Sequence, residues 1–235
     1  MDYLLEYDDT NPISIEAYAK KLIGHTFEDV LQWNTHTKLK EGSATKYGNV
    51  SRKGGLGNLL EREYFGYEPN SSPEPDFPKA GVELKVTPYE RKKNGKLSAG
   101  ERLVLGMISY EHSIESDFYK SHAWQKCKLI LLIYYLRNKE LASNLLYSID
   151  YATLFTPTEE DLKIIEHDYE IIYEKISSGR AHELSEGDTM YLGACTKGST
   201  AEKSTVPQYY GEHIPARKRA FCFKTSYMTY VLNNY

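Results

Sequence analysis

The sequence predicts a mixed α/β fold, an α+β arrangement in which helices flank a mixed sheet. Three stretches carry that expectation. Residues 82–88, "VELKVTP", set Val82, Leu84 and Val86 in alternation with Glu83 and Lys85, the period-two pattern of a half-buried strand. Residues 126–136, "KCKLILLIYYL", form the continuous apolar run of a central strand. In "TEEDLKIIEHDYEIIYEKISSG", Leu162, Ile165, Tyr169, Ile172 and Ile176 share one helical face between a Thr158 cap and Gly179.

The remaining elements follow in chain order. Residues 1–45 read as a helical N-terminal part: "SIEAYAKKLIG" is amphipathic and stops at Gly24. "TFEDVLQW" then opens on Thr26, with Asp29 three residues on as a capping pair. Residues 34–50 are polar and read as a mobile connection, and "KGGLGNLLEREYFG" places Leu56, Leu59 and Leu60 on one helical face. The proline-rich 67–78 reads as a loop into the opening strand. Further strands are expected at 103–109, 145–155, "TMYLGA" and "RAFCFK", with a short helix in the tail "TSYMTYVLNNY". No internal repeat or linker interrupts this order, so residues 1–235 are expected to form a single domain.

The 235 residues are 40% hydrophobic and 26% charged, as in ordinary soluble proteins. No apolar run reaches the length of a membrane span and no signal peptide is evident, so no membrane partner is expected. Cys127, Cys195 and Cys222 are too few and too scattered for a disulfide framework or a zinc site, and a reducing cytoplasm is the natural compartment. The net charge of −4 speaks against nucleic acid only as a sum. Residues 85–102 and 190–224 each hold six basic against two acidic residues, while acid collects near the start and in 159–174. The two basic segments are candidate phosphate contacts. The many tyrosines are more readily explained by packing than by base stacking.

Chemistry is concentrated at Glu83 and Lys85. An acidic residue two before a lysine also occurs at Glu90–Lys92 and Asp161–Lys163, but the first lies in a charged turn and the second on a helix, where i and i+2 diverge. Only Glu83 and Lys85 share a strand face whose reverse is apolar. Asp76 lies seven residues before Glu83, after Pro75, which makes the pattern Pro-Asp, spacer, Glu-x-Lys. Asp76 and Glu83 can supply carboxylates, and Leu84 a carbonyl, to a hard divalent cation such as Mg2+. Lys85 can orient or deprotonate a water and stabilise charge on a phosphate, as phosphodiester hydrolysis requires. The plain alternative is an exposed ion pair worth about 0–1 kcal/mol.

"KGGLGNLLE" (53–61) followed by "PDFPKAGVELKVTP" (75–88) resembles the MutH family of GATC-specific DNA endonucleases. The matching residues are Lys53, Gly54, Gly57, Leu60 and Glu61, then Asp76, then Gly81, Val82, Glu83, Leu84 and Lys85. The resemblance implies a restriction-endonuclease-like PD-(D/E)xK core, with Asp76 and Glu83 as metal ligands and Lys85 as the catalytic lysine. It further implies Glu61 as an additional acidic residue of the site and Lys53 as a lysine near phosphate. On residue pattern alone, Glu61 reads more readily as a solvated helix glutamate, although it follows the Leu56/Leu59/Leu60 stripe and could reach a metal's water shell.

Downstream, "GRAHELSEGDTMYLGACTKG" and "KRAFCFKTSYMTYVL" look like the restriction branch. Where the repair branch has Arg-Pro-Lys, this chain has Cys195-Thr196-Lys197, so Lys197 alone carries over as a DNA-reading residue. Loop 193–217 can enter a major groove or be a plain surface loop. Thr196, Lys197, Arg217, Lys218, Arg219 and Lys224 make up the expected DNA-binding set, with a merely solvated charge run as the alternative. His182 and Glu183 lack the second histidine of a zinc motif and read as structural.

The expectation is therefore a Mg2+-dependent type II restriction endonuclease acting on duplex DNA at GATC. One active site per chain implies a homodimer on DNA, a second MutH-like domain or two successive nicks, and the chain reads either as a one-domain member or as the N-terminal half of a two-domain enzyme. The rivals are a mismatch-repair nicking endonuclease activated by a partner, and a non-catalytic DNA-binding module.

Overall fold

A computed structural model describes residues 6–33, 47, 54–69, 73–198 and 204–234. It is mixed α/β, and its chain divides into two compact units: 1–100 with 129–155, and 101–128 with 156–235. Among the described residues no helix is long and apolar enough to cross a membrane.

The first unit is built on a four-stranded sheet in the order β2-β1-β4-β5, with β1 at Glu83–Arg91, β2 at Leu97–Ala99, β4 at Ile130–Leu136 and β5 at Ile149–Phe155. β1 runs parallel to β4 and antiparallel to β2, and β4 runs antiparallel to β5, which makes the sheet mixed. Helix α1 (Pro12–Lys20) is capped by the Asn11 side chain. It packs on β5, where Glu16 accepts the Leu154 amide at 2.9 Å. Helix α2 (Phe27–Trp33) opens on the expected pair: Thr26 Oγ1 accepts the Asp29 amide at 3.1 Å, and Asp29 accepts the Thr26 amide at 2.7 Å. The "LGNLLEREY" helix is α-helical only over Gly55–Leu59 (α3) and continues as a π-helical turn over Leu60–Tyr64. Ile15, Leu22, Phe27, Leu59, Leu60, Val82, Leu131 and Ile133 bury the core between helices and sheet. Residues 34–46 and Lys53 lie outside the described residues.

Two expectations change here. β1 is covered on both faces, with Val82, Glu83 and Leu84 all buried, because it sits inside the sheet rather than at a half-exposed edge. The expected strand 126–136 begins only at Ile130: Ser121 caps the Trp124 amide and starts helix α4 (His122–Cys127), which claims Lys126 and Cys127.

The second unit holds a three-stranded antiparallel sheet, β3-β9-β6 (Leu103–Met107, Arg219–Phe223, Leu192–Thr196), and a hairpin of β7 (Thr205–Val206) with β8 (Ala216–Arg217). Helix α5 (Glu159–Ser177) has the Thr158 cap and buries Ile165, Tyr169, Ile172 and Ile176. Helix α6 (Thr225–Asn234) closes the chain. Of the expected loop 193–217, residues 193–196 belong to β6 and residues 205–206 and 216–217 pair as the β7–β8 hairpin, while 199–203 lie outside the described residues.

Candidate active site

Asp76 reaches β1 through a tight return of the chain. Phe77 and Val82 exchange backbone hydrogen bonds (2.9 and 3.3 Å), and the turn is closed by Gly81 at φ 68°. That left-handed conformation is one glycine adopts without Cβ strain. The turn lays Asp76 against the start of β1, where its Oδ2 accepts the Leu84 amide at 2.8 Å. One residue away, Glu83 Oε1 receives the Lys85 Nζ at 2.6 Å.

This is not the exposed ion pair of the plain alternative, since the Glu83 side chain is 3% exposed and that of Lys85 21%. A buried pair contributes little net stability against its desolvation cost, so placing one inside a central strand calls for a chemical reason. Glu61 comes to the same place from the π turn, a helix irregularity often found at functional sites. Its carboxyl is pushed up to about 7, first by burial, then by the charge of Asp76, with Lys85 pulling the other way and Glu83 adding to the rise. Glu61, Asp76, Glu83 and Lys85 therefore form one electrostatic cluster.

Among the described residues, no three acidic, histidine or cysteine side chains converge into a complete metal cage. Asp76 is turned toward the Leu84 amide and Glu83 toward Lys85. That arrangement suits Mg2+, which takes one or two carboxylates and keeps several waters. The donor set is all hard oxygen, so Asp76 and Glu83, with Glu61 nearby, fit a divalent cation.

The raised Glu61 carboxyl has a measurable consequence. Its folded form binds a proton more tightly than its unfolded form, whose ordinary value is 4.5. In chelator, stability should therefore fall as pH rises from about 4.5 through about 7. Discounted for partial solvent access, the loss is on the order of 2 kcal/mol. Urea unfolding of Glu61→Gln beside the wild type should show a gap that widens across this range; parallel curves would remove Glu61 from the cluster.

Tyr67 also belongs to this cluster and has no distinguishing motif in the sequence. Its amide donates to the Glu61 carbonyl at 2.9 Å and its ring packs edge-on against Phe77. Burial, then Asp76, Glu61 and Glu83, push its phenol well above the ordinary tyrosine range.

The expected DNA-binding residues divide. Arg217 and Lys218 are exposed, and Thr196 and Lys197 are half-buried at the end of β6, where the Lys197 amide donates to the Lys218 carbonyl at 2.8 Å. Arg219 corrects the expectation of a phosphate contact: it is buried, and its guanidinium donates to the carbonyls of Ala194 and Leu184. Lys224 is likewise turned inward, its Nζ donating to the Glu186 and Thr189 carbonyls. Both sit on or beside β9, whose side chains are buried throughout, so their charge is used to satisfy backbone groups. In the first unit, Arg91, Lys92, Lys93 and Lys96 are exposed around the β1–β2 hairpin. His182 Nδ1 lies 3.2 Å from Gln208 Nε2.

Residues 65–168, which contain Asp76, Glu83 and Lys85, match the family described as the DNA mismatch repair enzyme MutH. This stretch is MutH-like. The type II restriction enzyme Sau3AI of Staphylococcus aureus is 38% identical over 223 residues, covering 94% of this chain and 44% of that enzyme. The DNA mismatch repair protein MutH of Shewanella woodyi is 28% identical over 164 residues, 67% of this chain and 66% of that protein. MutH of Haemophilus ducreyi is 25% identical over 185 residues, 78% and 79% of the two chains. The chain thus spans less than half the length of the restriction enzyme it resembles. The Sau3AI similarity, unlike the MutH match at 65–168, extends over nearly the whole chain.

Proposed function

We propose that the chain is the catalytic part of a Mg2+-dependent type II restriction endonuclease that hydrolyses phosphodiester bonds in duplex DNA at GATC. The observation that carries this is the buried Glu83–Lys85 pair beside Asp76 in a MutH-like stretch, with Glu61 from the preceding turn bearing on the same place. Both units, residues 1–235, are taken to serve one endonuclease domain acting in the cytoplasm.

Asp76 and Glu83 would hold the cation, with Glu61 at its water shell. A bound Mg2+ supplies Lewis acidity and a more acidic water. Lys85 directs the attacking water and sets its positive charge against the charge growing on the phosphate oxygens. The water oxygen bonds to phosphorus as the P–O bond to the departing sugar breaks; the water's proton passes to solvent and the departing sugar oxygen takes one up from solvent. Asp76, tied to the Leu84 amide, keeps the carboxylates in register with β1. Lys53 is assigned to phosphate by resemblance. Thr196, Lys197, Arg217 and Lys218 are assigned to DNA, Lys197 at a base edge and the two exposed residues at phosphates.

Cutting both strands of a palindrome takes two active sites on the duplex, from a homodimer or a second MutH-like domain, or two successive nicks by one. The similarity to two MutH proteins keeps one other reading open, a repair nickase activated by a partner protein. A plasmid bearing GATC sites separates the two: linear fragments without any partner support restriction, and nicked circles stimulated by a partner support repair.

A further inference from the structure

We propose that Tyr67 is a positioning residue of the cation site, its phenol O–H donating to the oxygen shell that a divalent cation gathers there. This rests on the metal-dependent reading above and extends it to a residue outside the Asp-Glu-Lys pattern.

Although part of the Tyr67 residue reaches solvent, its hydroxyl oxygen is buried and has no hydrogen-bond partner. Buried tyrosine hydroxyls almost always find an acceptor, and leaving one orphaned costs about 1–3 kcal/mol. The ring packs against the hydrophobic core, yet the hydroxyl also feels charge. The charged groups bearing on it are Asp76, Glu61 and Glu83, the three carboxylates of the candidate site. A protonated phenol among acceptor-only carboxylates is a donor held ready.

The backbone fixes that placement from two sides. The Tyr67 amide closes the π turn on the carbonyl of Glu61, so the phenol and the Glu61 carboxylate are carried by one rigid turn. The ring is wedged edge-on against Phe77, whose backbone closes the turn that presents Asp76. Tyr67 thus bridges the segments that bring Glu61 and Asp76 to β1. Partners that hydrogen-bond the ligands of a metal orient them, and removing one typically weakens metal binding about 10–100-fold.

The test uses Tyr67→Phe, which keeps the ring and its contact with Phe77. Mg2+ is titrated calorimetrically into the whole chain, and melting is followed in chelator. Mg2+ affinity should fall about tenfold, the melting temperature in chelator should hold or rise slightly, and cleavage should recover toward wild type at saturating Mg2+. Equal Mg2+ affinity for both proteins would overturn the role of Tyr67 alone. A large drop in melting temperature would make Tyr67 a packing residue and also overturn it. If the wild type binds no Mg2+, the metal-dependent reading falls and takes this inference with it.

Discussion

Lys85→Ala leaves a GATC duplex bound and uncut. The Lys85 ammonium is within 2.6 Å of Glu83 and largely enclosed, so its proposed role is at the reacting phosphate and not in holding the duplex. Losing a preorganised charge at a developing oxyanion costs about 10²–10³-fold in rate. Duplex affinity in Ca2+ should stay within about twofold, because the proposed phosphate contacts fall on exposed residues such as Arg217 and Lys218. Single-turnover cleavage and a gel-shift titration check the two halves. A Lys85→Ala protein that cuts normally removes the lysine from the mechanism. One that no longer binds DNA makes it a binding residue.

Asp76→Asn separates two jobs that the aspartate combines. The carboxylate takes the Leu84 amide at 2.8 Å and also contributes negative charge to the cluster. Asparagine keeps an oxygen for that amide but loses the charge, so the fold should persist while cleavage falls about a hundredfold or more, with weaker Mg2+ binding. Asp76→Ala should lose the same activity and, in addition, about 1–3 kcal/mol of stability from the unpaired buried amide. Chemical denaturation of both variants beside a cleavage time course tests this. If Asp76→Asn cleaves like the wild type, Asp76 is only a structural cap for β1.

The geometry of the candidate site was legible in the sequence where local pattern and local contacts coincide. Alternation put Glu83 and Lys85 on one strand face, and the structure pairs them. The Thr26/Asp29 and Thr158 caps are local hydrogen bonds between residues three apart, and both form. What escaped depends on contacts distant in sequence. Burial of Arg219 follows from its place on β9 between β3 and β6, which a run of basic letters does not reveal. Nothing in the sequence sets Asp168 apart from the other acidic residues of its helix, yet it accepts the amides of Met190, Tyr191 and Leu192 and anchors the entry to β6. Tyr67 carried no motif, and only the return of the chain through Gly81 shows which carboxylates surround it. The boundary error at 126–136 arose because an apolar run is compatible with either period, and the Ser121 cap decided for helix before Ile130.

The central claim is that the cluster of Glu61, Asp76, Glu83 and Lys85 is a cation-dependent DNA-cleaving centre. Its most direct test is incubation of the purified chain with supercoiled plasmid carrying GATC sites, with Mg2+ and with chelator, beside the same plasmid stripped of GATC. The account predicts strand cleavage at GATC only, dependent on Mg2+ and absent in chelator. Intact plasmid under every metal condition, or equal cutting of the GATC-free plasmid, would contradict it.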